Sequence, residues 1–329
     1  MLYDNHGRII NYMRVAVTDR CNLRCFYCMP EDGIRYVHRK DLLSFEEMER
    51  IIKVFAKEGI SKIRITGGEP FLRKGIMAFL GKINAIEEIK QIHITTNGTM
   101  THGQIPMLKK LGVQSINLSL DSLDKQRFFD ITRRDAFDKV MQTFHELLDN
   151  HIEVKINMVV MAGKNIADIL PMVELTKDYP VSVRFIEEMP FNGTGKKEEQ
   201  VYWSQHEILN LLKETYPDLF KLKDPDYSTS ANYKVPNYKG SLGIIAAYTR
   251  LFCGTCNRIR LTPQGIIKTC LYDDGVFNIK DLIRSGVSDA ELVATLKKAL
   301  NNKAKDGWEA EKKRLEGNEV SESMATIGG

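Results

Sequence analysis

The chain has 329 residues, of which 43% are hydrophobic and 27% charged, and a formal charge of +4. This is the composition of a globular protein with a substantial core, long enough for one large domain or one domain plus an appendage. Lysines and arginines are interleaved with acids, which argues against a nucleic-acid binder, and no run of about 18 apolar residues exists to span a membrane.

The opening Met1-Leu2-Tyr3-Asp4 lacks the basic and apolar pattern of an export signal, so the expected compartment is the cytoplasm. From about residue 10 to 187, β-rich runs at 13–18, 62–66, 91–95, 115–120, 153–160 and 182–187 alternate with amphipathic helical stretches. One helix opens at Ser44, which forms a capping box with Glu47 ahead of Met48, Ile51, Ile52 and Phe55, and Gly59 is placed to end it. Another opens at Asp135 and carries Phe137, Val140, Phe144 and Leu147 on one stripe. Beyond Met189 the texture changes. Residues 192–200 read as a loop, 204–215 as a helix and 216–251 as turns with short β pieces. From about residue 301 a charged, weakly apolar stretch reads as a mobile tail. A soft boundary near 190–200 divides the chain into 1–195 and 196–329.

Strands alternating with helices imply parallel pairing with right-handed crossovers. Six such units are too few for a closed eight-stranded barrel, leaving an open partial barrel or a doubly wound sheet. Either architecture gathers working residues at the C-terminal strand ends, where Thr18–Cys21, Gly67–Pro70, Thr96–Gly98 and Asp121–Ser122 fall.

The cysteines form two triplets, Cys21, Cys25, Cys28 and Cys253, Cys256, Cys270, with none between. In a large chain with no export signal this reads as two metal sites more readily than as three disulfides. The first triplet is C-x3-C-x2-C with no histidine close by, and three thiolates suit a four-iron cubane whose fourth iron is open to a small molecule. A three-cysteine structural site or buried free thiols are the alternatives. Thr66-Gly67-Gly68-Glu69-Pro70 follows the next strand. Its glycines let backbone approach a ligand, and Glu69 is expected to pair with an ammonium. The second triplet also shows no obvious fourth ligand, the alternative being a zinc knuckle completed by His206 or an acid. Gly193-Thr194-Gly195-Lys196-Lys197 is no P-loop, since Pro190 stands where the first glycine belongs. His145-Glu146 is no metalloprotease motif, since Asp149 replaces the second histidine.

The first triplet with its Gly67-Gly68-Glu69-Pro70 loop resembles the radical S-adenosylmethionine superfamily. Within it, the run from Val17 through Pro30, Arg64 through Pro70, Arg184 through Glu187, Phe252 through Arg260 and the terminal Gly328-Gly329 resemble the GTP 3′,8-cyclase family of molybdenum cofactor biosynthesis. The resemblance implies an α/β fold, a partial (β/α)6 TIM-like barrel, with a C-terminal α+β extension carrying a second iron–sulfur cluster. It implies two [4Fe-4S] clusters on the six cysteines, and S-adenosylmethionine held by Tyr27, Gly68, Ser119 and Met189. GTP would be held by Arg14, Arg64, Thr95, Lys155, Arg258 and Arg260. A 5′-deoxyadenosyl radical would take hydrogen from the ribose C3′, and the carbon radical would attack C8 to give 3′,8-cyclo-7,8-dihydro-GTP. The implied partners are GTP, an external one-electron donor, a downstream cyclic pyranopterin monophosphate synthase and a second copy in a homodimer, with no nucleic acid and no membrane. A peptide-modifying radical enzyme and a zinc-binding module are the competing readings. Two departures stand out: Ala246 and Ala247 replace expected hydroxyl residues, and the tail 320–329 lacks an expected arginine, while its role would be to thread toward the site.

Overall fold

A computed structural model describes residues 1–189, 203–316 and 323–328. The 192–200 loop, the 193–197 run, the boundary at 195 and Gly329 lie outside the described residues. The six expected strands are present as β1 (Tyr12–Ala16), β2 (Lys62–Thr66), β3 (Gln91–Thr96), β4 (Val113–Ser119), β5 (Glu153–Val160) and β6 (Ser182–Glu187). Between them run α1 (Phe45–Lys57), α2 (Ile76–Asn84), α3 (Ile105–Lys110), α4 (Lys125–Thr132), α5 (Phe137–Asp149) and α6 (Ile169–Asp178). The Ser44–Glu47 capping box forms as expected, and Gly59 follows α1 at φ +119°. The helix expected from Asp135 starts instead at Phe137, with Ala136 as an N-cap that makes no side-chain cap.

The C-terminal region adds α7 (Gln205–Thr215), β7 (Phe220–Lys221), β8 (Ala231–Lys234), β9 (Ser241–Ile245), β10 (Arg258–Leu261), β11 (Ile266–Lys268) and β12 (Phe277–Asn278). Among the described residues one sheet runs β12-β11-β10-β1-β2-β3-β4-β5-β6-β9-β8-β7. From β10 through β9 every pairing is parallel, so two strands from the C-terminal region flank the six βα strands, one on each edge. Laid flat, those eight strands would span roughly 34 Å at ~4.8 Å per spacing. Residues 246–257 must join β9 to β10 across that distance, yet they are folded into turns and a 3-10 turn at Cys253–Thr255. The sheet therefore curls into an open barrel, and this connection crosses its mouth.

The strands alternate with period two. Met13, Val15, Ile63, Ile65, Ile92, Ile94, Ile116, Leu118, Ile156, Val183 and Phe185 are buried in the core beneath the helices, with Met48, Ile51, Ile52 and Phe55 of α1 among their partners. Their neighbours Tyr12, Arg14, Lys62, Arg64, Thr95, Asn117, Lys155, Asn157 and Arg184 face inward. A barrel core is normally filled with apolar chains; a polar inner face leaves room for a polar ligand.

The chain closes with α8 (Ile279–Arg284), α9 (Asp289–Leu300), α10 (Gly307–Leu315) and α11 (Met324–Ile327). The expectation of a mobile tail is corrected here. Arg250 holds α10 in place: its guanidinium stacks on Tyr272 at 3.7 Å and Trp308 at 3.9 Å, and it donates to Gly307 O and Glu311. Ala325 and Ile327 of α11 are buried. Among the described residues no helix is long and apolar enough to cross a membrane.

Candidate active site

A cavity of about 470 Å³ fills the curl of the sheet, and all six cysteines line it. All six are free thiols. Cys21, Cys25 and Cys28 follow the C-terminal end of β1. At the other end of that strand, Tyr12 of β1 is level with Arg258 of β10, so Cys256 lies just beyond the N-terminal end. Cys270 follows β11, antiparallel to β10, and returns to the same level. The triplets thus sit at opposite ends of β1, roughly one strand length or ~16 Å apart.

The first triplet is built by close backbone packing. Gly68 N–H donates to Thr18 O and Glu69 N–H to Arg20 O, both at 2.8 Å. A Cβ on Gly68 would lie 2.3 Å from Arg20 O, and one on Gly67 would lie 2.5 Å from Thr18 O. These glycines bring the loop after β2 against the cysteine loop. Glu69 does not take the expected role toward an ammonium: it is fully buried, does not line the cavity, and accepts from Phe71 N, Thr96 Oγ1 and Asn97 N. Its carboxylate ties the β2 and β3 loops together, and burial raises it to about 7. Tyr27 donates to Asp121 Oδ2 at 2.8 Å; burial raises Asp121 to about 6.

Among the described residues no three His, Cys, Asp or Glu side chains gather as ligands of a single metal ion. His206 is exposed on α7 and does not line the cavity, so it completes no zinc site with the second triplet. A single zinc would draw thiolates to within ~4 Å of one another, given Zn–S near ~2.3 Å. A cubane takes each thiolate at a different iron, with the sulfurs spread wider. Burial pushes Cys21 up to about 11 and Cys28 up to about 12, and raises Cys25 strongly. Three such sulfurs are anionic together only around a cationic core. Burial also raises Cys253 and Cys270, whereas at Cys256 the Arg258 and Lys303 charges outweigh burial and bring the thiol to about 6. Both triplets fit an iron–sulfur group.

Between the triplets, Arg14, Lys62, Arg64, Lys155, Arg184, Arg258 and Arg260 line the cavity against the acids Asp121 and Asp226. Among the described residues, buried Thr95 Oγ1, Asn117 Oδ1, Asn157 Oδ1, Arg184 Nε and Arg258 Nε have no hydrogen-bond partner. Orphaned polar atoms in a cationic cavity are the mark of a polar, anionic ligand. Not every expected contact is equally available. Lys155 pairs with Glu153 at 2.7 Å. Arg64 is held by Tyr12 OH at 2.6 Å, Ile94 O and His93 Nδ1 at 2.9 Å. Burial, with the Arg64 charge next, lowers His93 to about 2, so its ring is neutral. Burial lowers Arg14 to about 9, and Arg260 crowds it further. Burial raises the Tyr12 phenol, but Arg64 and Arg14 outweigh it and bring it to about 7.

The tail crosses the cavity. Ser323 Oγ donates to Cys28 O at 2.6 Å, and Gly328 O accepts from Arg260 Nη1 at 2.7 Å and Arg14 Nη2 at 3.5 Å. Residues 323–328 therefore reach from the first triplet to the arginines.

Tyr27, Gly68, Ser119, Met189, Arg14, Arg64, Thr95, Lys155, Arg258 and Arg260 all line this one cavity with the cysteines. Sequence reasoning placed Asp121 at a strand end but missed Tyr12, Lys62, Asn117, Asn157 and Arg184 as lining residues. The signal was present: strands covered on both faces should be nearly continuous in apolar residues, and these alternate.

An open parallel barrel with C-x3-C-x2-C beyond its first strand is the fold and site of the radical S-adenosylmethionine class, and the model of the Radical SAM superfamily matches residues 15–176. The Molybdenum Cofactor Synthesis C model matches residues 181–308. The GTP 3′,8-cyclase of Clostridium perfringens (strain 13 / Type A) is 40% identical over 301 residues, covering 91% of this chain and 92% of its own. The chain belongs to the GTP 3′,8-cyclase family. Molybdenum cofactor biosynthesis protein 1 of Bos taurus is 40% identical over 303 residues, 92% of this chain but 48% of that protein. The chain thus spans about half the length of these animal relatives. Streptococcus suis SuiB bound to S-adenosylmethionine shares the fold, with a TM-score of 0.60 at 16% identity over 82% of this chain and 62% of SuiB.

Proposed function

We propose that the chain cyclises GTP to 3′,8-cyclo-7,8-dihydro-GTP, an early step of molybdenum cofactor biosynthesis, with S-adenosylmethionine and two [4Fe-4S] clusters. The observation that carries this reading is the single cavity with a cysteine triplet at each end and a cationic wall between. When bound, a cluster on Cys21, Cys25 and Cys28 with S-adenosylmethionine supplies the one-electron cleavage that begins hydrogen abstraction. Tyr27, Gly68, Ser119 and Met189 line the end that would hold S-adenosylmethionine. Cys253, Cys256 and Cys270 would hold the second cluster, against which the base is placed. Arg14, Arg258 and Arg260 face the middle, where guanidinium forks suit phosphate oxygens. Arg64 and Lys155 supply charge from behind, already bonded to protein. Fixing both reactants in one cavity converts an encounter into an oriented step, worth on the order of 7–11 kcal/mol.

Two separately matched segments, 15–176 and 181–308, support a two-part organisation, although their junction lies ahead of the division near residue 195. The reading carries with it a cytoplasmic location, an external one-electron donor, a downstream cyclic pyranopterin monophosphate synthase and a homodimer. Anaerobic reconstitution should give about eight irons. Incubation with GTP, S-adenosylmethionine and dithionite should then give 5′-deoxyadenosine in GTP-dependent yield, with the cyclised nucleotide identified by mass. Cleavage stimulated by peptides and not by GTP would overturn it.

A further inference from the structure

Lys303 is a buried ammonium, 3% exposed. Its Nζ donates to Thr269 O and to Arg258 O at 3.2 Å and lies 3.9 Å from Cys256 Sγ. Among the described residues no carboxylate lies within ion-pairing distance of it, and carbonyls satisfy its hydrogens without cancelling its charge. The formal anions it faces are the sulfurs.

The lysine cannot swing away. Arg8 donates to Cys253 O at 3.1 Å, to Ala304 O at 2.8 Å and to Lys305 O at 2.7 Å, while Asp4 holds its Nε at 2.6 Å. Residues far apart in sequence thus clamp 303–305 against the second triplet. The first triplet has more acidic surroundings: Glu69 acts on Cys21, and Asp121 on Cys25 and Cys28, with Arg24 as a smaller opposing charge at Cys21. At the second, Asp273 is an acid close to Cys270, but its Oδ2 already accepts from Thr269 N, Thr269 Oγ1 and Cys270 N.

We propose that Lys303, beside Arg258, is a fixed counter-charge of the second sulfur triplet and raises the reduction potential of a cluster held by Cys253, Cys256 and Cys270. Reduction adds one negative charge to the cluster, and an ammonium held nearby in a low-dielectric site favours that state. The inference rests on the two-cluster reading.

The test uses the full chain with Cys21, Cys25 and Cys28 all changed to Ala, so that only the second site assembles. Iron is counted, and the cluster is titrated with dithionite under EPR, in this parent and with Lys303→Gln or Lys303→Arg added. Gln should disfavour reduction at least tenfold, a downward shift of about 59 mV for one electron, while Arg stays near the parent. Assembly with Arg but not with Gln supports the same role, since the charge is then needed to hold the cluster at all. An unchanged midpoint in the Gln variant, or an Arg variant that falls or loses iron as Gln does, would overturn it. A parent without iron would sink the two-cluster reading and this inference with it.

Discussion

Gly68→Ala is the substitution whose consequence follows most directly from the geometry. Its Cβ would sit 2.3 Å from Arg20 O, 2.5 Å from Arg20 C and 3.0 Å from Cys21 N. Ordinary carbon–oxygen contacts begin near ~3.3 Å, so the loops must part by about 1 Å. All three obstacles are backbone atoms, so no side chain can turn aside. Parting stretches the Gly68 N–Thr18 O and Glu69 N–Arg20 O bonds from 2.8 Å to lengths where little hydrogen bonding remains. Two bonds lost, with their groups left buried, cost on the order of 2–4 kcal/mol. The movement falls on the backbone of Cys21 itself. The expected result is a melting temperature lowered by several degrees in the metal-free protein, and reduced iron at the first site after reconstitution. Gly254→Ala, with no atom of the described residues within 4 Å of its added Cβ and no positive φ, should change neither measurement. A Gly68→Ala protein that melts with the parent and takes up the same iron would refute the reasoning.

Cys253→Ala should keep some S-adenosylmethionine cleavage and lose the cyclised nucleotide, whereas Cys21→Ala should lose both; equal and complete loss would point to a folding role for the second site. Gly328→Val, at φ +77° with a Cβ 2.6 Å from Thr66 Oγ1 and 2.9 Å from Ala16 Cβ, should expel the tail and lower turnover severalfold with iron content intact. Glu69 is raised by burial from 4.5 to about 7. The folded state therefore holds a proton that the unfolded state has released, so stability of the metal-free protein should fall as pH rises from about 4.5 to about 7. That contribution is on the order of 3 kcal/mol, and denaturant titration of Glu69→Gln should show it flattened.

Strands β2, β5 and β6 could be placed to the residue because each is a β-rich run set between helical stretches and turns. The first strand was expected to reach residue 18 but stops at Ala16, because the cysteine loop needs Thr18: its carbonyl takes Gly68 N–H and its hydroxyl takes Arg20 N–H. The strands that flank the six βα strands, β9 and β10, were illegible as parallel partners. Their sequences are four or five residues long, and the edge each joins is set by the curl of the sheet, which no local pattern encodes. The tail misled for a related reason. Charged residues dominate 301–316, so the segment lacks an apolar stripe, and what holds it is cation stacking and hydrogen bonding by Arg250 and Arg8, both distant in sequence. Glu69 shows the limit of reading a motif by its charge, since a carboxylate can be needed for its acceptors alone.

Scattered cations on strands, in place of a P-loop, follow from what the cavity must do. A P-loop fixes phosphate at one helix N-terminus, with backbone N–H groups converging at a strand end. Here the C-terminal strand ends are already taken by the cysteine loop, the double-glycine loop and the Tyr27–Asp121 contact. On the proposed reading, a nucleotide reaching from the second triplet toward S-adenosylmethionine at the first would lie along the strands, so its charges would be met from the sheet's inner face. Inward positions recur every second residue, and cross-strand registers such as Arg14 with Arg64 and with Arg260 set cations side by side. Such a row repels itself, which is why Tyr12, neutral His93 and the Gly328 carbonyl sit among the guanidinium groups. The same crowding makes an anion the strongest partner the site can take.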